Sequence, residues 1–224
     1  MCLCSAPPSG EGRESRRSVA MTDLLAVVAA YLMGSIPFAQ LLSQRRGVDL
    51  RRVGSGNVGA TNVLRTLGVR PAVLAMMLDA VKGTVAVLIA QRLTNGVAAP
   101  VIAGLASMIG HVYPVWLRFR GGKGVATAAG AFAVLTPVAA AAAVGVFLLA
   151  VALTRFISVG SMAAALTLAA WAIASDAPSV VGMGAAVAAV RVIAGPRANV
   201  IRLAAGTERR IGQRIGATHA SPSQ

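Results

Sequence analysis

Six long stretches of this chain carry almost no charge: Leu24–Leu42, Ala72–Ala90, Val97–Leu117, Val125–Leu153, Ser158–Ser175 and Pro178–Ala194. Most of them match the ~20 apolar residues that carry a helix across the hydrocarbon core of a bilayer. Composition agrees. The chain is 56% hydrophobic and 12% charged, whereas soluble domains average roughly 45–50% and about 25%. The expected architecture is all-α: a polytopic membrane protein of about seven transmembrane helices with short and re-entrant segments.

The count of crossings turns on Val125–Leu153. As one helix it would be roughly 43 Å long, more than the ~30 Å core. Thr136-Pro137 interrupts it, and proline breaks helices. Basic residues also favour two crossings here. Arginines 45, 46, 51, 52, 65 and 70 mark the first loop as cytoplasmic by the positive-inside rule. Arg155 and the basic tail join them on that side only if Val125–Leu153 crosses twice. Residues 1–20 have no apolar core and read as a disordered leader or a mis-assigned start, with Met21 opening the first span; 21–216 form one membrane domain and 217–224 a disordered tail. Cys2 and Cys4, both in the leader, support no disulfide framework.

The net charge of +14 would suggest nucleic acid in a soluble protein. Cytoplasmic loops account for it here, and 4% aromatic residues give no base-stacking platform, so no nucleic acid partner is expected. "GSGNVG" at 54–59 fits the dinucleotide fingerprint G-x-G-x-x-G. That motif needs a preceding strand in a soluble βαβ unit. These glycines follow a membrane span, and the dinucleotide reading is rejected.

The polar motifs "GSGNVGATNVLR", "FRGGKG", "TRFISVGS" and "PRANVIRLAAGTE" all fall on the cytoplasmic side of this topology. Glycine loops leave backbone N–H groups free for an anion, and helix N-termini add partial positive charge. Ser55, Asn57, Thr61 and Asn62 supply neutral hydrogen bonds, and Arg65 a fork suited to phosphate. The only lysines are Lys82 and Lys123. Lys123 stands between glycines. Lys82 lies three residues after Asp79 on one helix face, and an ion pair inside a span is a functional or structural device. His111 belongs either to an aromatic belt with Tyr113 and Trp116 or to the site itself. Two glycine-and-cation motifs on one face point to two bound phosphates.

These segments, "VGSGNVGATNVLRTLG", "DAVKG", "GHVYPVWLRFRGGKGVATA", "RFISVGS" and "NVIRLAAGTE", resemble those of the bacterial acyl-phosphate:glycerol-3-phosphate acyltransferases of the PlsY type, over about residues 22–212. The resemblance implies seven transmembrane helices with the active site facing the cytoplasm, in the bacterial inner membrane. It implies acyl transfer from acyl-phosphate to the 1-hydroxyl of sn-glycerol 3-phosphate, giving lysophosphatidic acid and phosphate. No cofactor, metal or coenzyme A is expected. Membrane lipid and a peripheral enzyme that forms acyl-phosphate are the implied partners.

By motif match, Gly54, Ser55, Gly56, Asn57, Thr61, Asn62 and Arg65 would hold one phosphate and the reacting carbonyl. Lys123 with Gly121, Gly122 and Gly124 would hold another anion. Ser158, Ser161, Arg197, Asn199 and Glu208 would complete the pocket, with Asp79, Lys82 and His111 beside it. The stretch "AGPRAN" departs from the family pattern, with Pro196 where a histidine usually stands. The alternative reading is a small transporter of a phosphorylated or anionic solute, which would also place polar residues in a helix bundle.

Overall fold

The computed structural model describes residues 11–195, 205–208, 210 and 211, with only the backbone of 11–17. Within these residues the chain is helical: α1 (Glu11–Gly34), α2 (Phe38–Gln44), α3 (Ala60–Leu67), α4 (Val69–Leu93), α5 (Ala98–Val112), α6 (Val125–Leu135), α7 (Pro137–Thr154), α8 (Ile157–Ala174) and α9 (Ser179–Ala194), with a 3-10 turn at Val115–Leu117. Five segments are long and apolar enough to cross a membrane: Ser18–Gln44, Val69–Leu93, Ala98–Leu117, Pro137–Thr154 and Ile157–Ala174. Helices α6 and α9 are apolar and shorter. Pro137 occupies the first turn of α7 and ends α6 at Leu135, so Val125–Leu153 is two helices and not one long rod. Helix α1 begins at Glu11, so the second half of the expected leader is helical and runs directly into the first span.

The bundle is packed with its small residues inside. Alanines 26, 30, 75, 86, 90, 103, 131, 139 and 185 are buried, while Leu148, Leu149, Leu153, Leu166, Met183 and Val190 are exposed where lipid would lie. Helices in lipid gain little from burying leucine against leucine and associate through close backbone approach. Two pairs depend on it most. A Cβ on Gly34 would overlap the Ser107 carbonyl, and one on Gly110 the Tyr31 carbonyl, which locks α1 to α5. Gly83 against Thr127 and Gly130 against Ala80 do the same for α4 and α6. These contacts fix α1 on α5 and α4 on α6 beneath the polar loops.

The first span is not straight. Pro37 interrupts it after Ser35-Ile36, and α2 continues at an offset. A broken helix in a membrane needs new partners for its freed backbone groups. Here the Ile36 carbonyl accepts a hydrogen bond from Lys82 Nζ at 2.9 Å. The loop between α2 and α3 is anchored by Leu50, Val58 and Val63, all buried against Ala39, Ala72 and Ala75. Each such burial contributes ~1.5–3 kcal/mol, enough to hold a glycine-rich segment in one shape.

Candidate active site

The polar segments meet at one end of the bundle. Arg65 of α3 pairs with Glu208 at 3.6 Å. Three residues on, Ile211 N–H donates to the Arg155 carbonyl at 2.8 Å, and the Arg210 guanidinium lies 5.5 Å over the Phe156 ring. Glu208, Arg210 and Ile211 therefore link α3 to the α7–α8 junction, which sequence distance alone could not show.

Beneath this junction is a cavity of about 990 Å³. Its polar end is formed by Ser55, Asn57, Thr61, Arg65, Lys123 and Glu208. Its other end runs between α6, α7 and α8 and is lined by Ala140, Ala143, Val144, Phe147, Ala165 and Leu168. A second cavity of about 830 Å³ shares Ser55, Asn57, Arg120 and Gly121 with the first and adds Arg51, Arg118 and Gly56. Asp49 accepts two hydrogen bonds from the Arg51 guanidinium, at 2.9 and 3.0 Å, and one from the Gln40 amide at 2.8 Å. The Arg51 bonds first, then Gln40, hold the Asp49 carboxyl well below the usual carboxylate range.

Three helices begin at the polar end: α3 after Gly59, α6 after Gly124 and α8 after Phe156, none with a side-chain cap. Gly59-Ala60-Thr61, Gly124-Val125-Ala126 and Ile157 all border the main cavity. Uncapped N-termini carry partial positive charge and suit an anion. Together with Arg65 and Lys123 they make the polar end strongly attractive to phosphate.

The glycine loops work differently from the expected cradle of free N–H groups. Gly121 N–H donates to the Val112 carbonyl and Gly122 N–H to the His111 carbonyl, both at 3.0 Å. Ser55 N–H donates to Asn62 Oδ1 at 3.0 Å, and Gly56 N–H to the Val53 carbonyl at 3.1 Å. The glycines serve close approach: a Cβ on Gly121 would overlap the His111 carbonyl, and one on Gly122 the His111 ring. Asn62 borders the main cavity and also holds the loop together. It is buried, and its amide donates to the Leu50 and Val53 carbonyls, both at 3.0 Å, while its oxygen accepts from Ser55. It shapes the loop that presents Ser55 and Asn57.

Asp79, Lys82 and His111 form one buried cluster. Lys82 Nζ is 2.9 Å from Asp79 Oδ1, an ion pair by distance rather than an aligned hydrogen bond. The same Nζ lies 3.0 Å from His111 Nδ1, and that ring nitrogen lies 3.3 Å from Asp79 Oδ1. Nε2 sits against Gly122, on the cavity side. Asp79 and His111 border the main cavity; Lys82 stands behind them and braces the broken first span.

The remaining expected residues divide. Gly122, Lys123, Gly124 and Ser161 line the main cavity, and Ser161 Oγ donates to the Ile157 carbonyl at 2.9 Å. Gly56 borders only the second cavity. Gly54 shapes its turn with a φ of +65° and lines neither. Ser158, three residues before Ser161, is buried, its Oγ has no hydrogen-bond partner, and it lines neither cavity. Arg197 and Asn199, like Pro196, lie outside the described residues. Charged lining residues that sequence reasoning missed include Arg120 and, on α9, Arg191. The signal for Arg191 was available, since it is the single charge in Pro178–Ala194.

Comparison with known proteins gives one consistent answer. Residues 24–206 match the family described as Glycerol-3-phosphate acyltransferase. The chain is 45% identical over 193 residues to a glycerol-3-phosphate acyltransferase of Geobacter sulfurreducens, covering 85% of this chain and 98% of the relative. It is 46% identical over 193 residues to one from Myxococcus xanthus, covering 85% and 100%. The crystal structure of PlsY (YgiH), an integral membrane glycerol 3-phosphate acyltransferase, in its glycerol 3-phosphate form superposes with a TM-score of 0.81 at 40% identity, covering 85% of this chain and 96% of that one. Its lysophosphatidic acid form superposes with a TM-score of 0.79 at 39% identity, covering 84% and 94%.

Proposed function

This chain belongs to the glycerol-3-phosphate acyltransferase family, and from that premise we propose that it takes its acyl group from an acyl-phosphate bound along the main cavity. The protein is a multi-pass membrane acyltransferase that esterifies glycerol 3-phosphate. One observation carries the choice of donor: a single cavity joins a cationic, helix-N-terminal end to an apolar groove between α6, α7 and α8. An acyl-phosphate has that same division, a dianionic head on an apolar chain. The relatives crystallised with glycerol 3-phosphate and with lysophosphatidic acid support the acceptor and the product.

The chemistry asks little covalent work of the protein. The 1-hydroxyl oxygen of glycerol 3-phosphate attacks the acyl carbonyl carbon. The bond from that carbon to the phosphate oxygen breaks, and phosphate departs with the hydroxyl proton. A substrate phosphate serves as the base, so no side-chain base is required. The protein contributes orientation and charge stabilisation. Arg65 and Lys123 hold phosphate oxygens, and Ser55 and Asn57 in the loop before α3, with Thr61 in its first turn, flank the reacting carbonyl. Ser161 lines the cavity, and Arg197 and Asn199, outside the described residues, are assigned to substrate from the family motif alone. Glu208 acts through Arg65 as a positioning residue. The transporter alternative finds less support, because the polar groups gather at one end of the bundle and not at its middle.

The placement of the donor is tested by filling the groove. Ala165 is buried on α8 and lines the apolar end. Ala165→Phe should lower kcat/KM for a palmitoyl-phosphate by tenfold or more, since an overpacked core costs roughly 1–3 kcal/mol, while butyryl-phosphate keeps wild-type kinetics. Equal losses for both chain lengths would place the acyl chain elsewhere.

The polar end faces the cytoplasm of a bacterial inner membrane in this proposal, and a peripheral acyl-phosphate-forming enzyme would deliver the donor there. The support is the arginine-rich loop at 45–52 beside the site. In a variant lacking Cys2 and Cys4, a cysteine at Ser175 should react with an impermeant thiol reagent applied from outside. One at Arg46 should react only after lysis. Reaction at Arg46 in intact cells would reverse the orientation.

A further inference from the structure

We propose that Arg191 is an anion ligand of the main cavity, holding phosphate oxygens of one of the two substrates. The inference rests on the acyltransferase reading and extends it to a residue on α9. Arg191 is the only charge between Asp176 and Arg197. A guanidinium in an apolar helix is costly and is retained where it faces a partner or a polar cavity. Arg191 lines the main cavity. Among the described residues no carboxylate lies within ion-pair distance of it, and its Nε is buried with no acceptor.

Its surroundings hold the group in place without neutralising it. The guanidinium lies 5.4 Å over the Tyr113 ring, a cation–π contact that leaves the N–H edge unspent. Tyr113 is itself fixed, because its carbonyl accepts from Tyr31 Oη at 2.9 Å. Room for the side chain comes from Gly195, one turn further on. A Cβ there would overlap Arg191 Nη1, so the absence of a side chain at 195 lets the guanidinium fold along the helix end. Arg191 borders the cavity with a buried, unsatisfied Nε, and a guanidinium so placed can give a phosphate two parallel bonds from one fork. The competing role is structural: a cation in the last turn of a helix interacts with its dipole and free carbonyls.

Arg191→Gln and Arg191→Lys separate these roles. In purified full-length protein, KM is measured for glycerol 3-phosphate and for acyl-phosphate, each with the other saturating. Arg191→Gln should raise one of the two KM values by tenfold or more and change kcat much less. Arg191→Lys should recover part of that loss. The KM that rises identifies which substrate's phosphate is held. If both KM values stay at wild type in folded Arg191→Gln, or only the unfolding midpoint falls, the residue is a helix-end cation and the proposal is overturned. Calorimetric titration of wild type and Arg191→Gln with glycerol 3-phosphate, and with a hydrolysis-resistant acyl-phosphate analogue, makes the same comparison without turnover. Failure of the reaction and failure of this assignment are thereby told apart.

Discussion

Lys123→Ala and Arg65→Ala are each expected to lower kcat/KM by a factor on the order of 10² or more, with the folded protein otherwise intact. Charge-assisted hydrogen bonds to phosphate are worth roughly 1.5–3 kcal/mol, and more when water is excluded. Both side chains border the polar end of the main cavity, where three uncapped helix N-termini already draw an anion. The two variants should differ in kind. Lys123 follows a loop tied to α5 by the Gly121 and Gly122 N–H groups, so its loss removes a charge from a rigid frame. Arg65 also pairs with Glu208, so its loss leaves a buried carboxylate near the site. Arg65→Ala should therefore depress binding of both phosphorylated substrates. Wild-type kinetics in either folded variant would remove that residue from the site.

Lys82→Met is expected to produce the largest loss of stability. Asp79 is 2% exposed and Lys82 3%, so the change leaves a carboxylate buried beside His111 alone. Breaking one half of a buried pair costs roughly 3–5 kcal/mol. The Ile36 carbonyl at the break in the first span loses its donor as well. The unfolding midpoint in detergent should fall by on the order of 10 °C. Asp79→Asn combined with Lys82→Met should recover more than half of the loss, because no unpaired charge remains. A midpoint unchanged by Lys82→Met would mean that the cluster does not brace the fold.

Much of this molecule could be read before its structure, and the rest could not for identifiable reasons. Apolar runs report helices in lipid regardless of neighbours, and Pro137 marks its own break. Pro37 is equally visible, but whether the first span bends or ends there depends on Lys82, which reaches it from another helix. Residues 60–67 looked like part of a loop. Their helix is short, and only the burial of Val63 and Asn62 against α4 and the preceding loop stabilises it. Gly121 and Gly122 illustrate a deeper ambiguity. A glycine that frees an N–H for a ligand and one that lets two backbones touch look identical in sequence; here both N–H groups go to α5. Asn62 lines the main cavity, and its side chain also ties the loop through the Leu50 and Val53 carbonyls and the Ser55 N–H, which sequence alone does not show. Ser158 and Ser161 carry the same chemistry three positions apart, and the structure lines the main cavity with Ser161. Arg191 was overlooked because a lone charge in an apolar run was counted as part of the run.

The most direct test of the whole account is turnover by the purified protein in detergent, with no membrane and no gradient. Given acyl-phosphate and glycerol 3-phosphate, it should release inorganic phosphate and form 1-acyl-glycerol 3-phosphate in equal amounts, with no metal or coenzyme A added. An acyl-coenzyme A thioester in place of acyl-phosphate should give no product. Ester formation from the thioester, or no ester from acyl-phosphate by protein that still binds glycerol 3-phosphate, would contradict it.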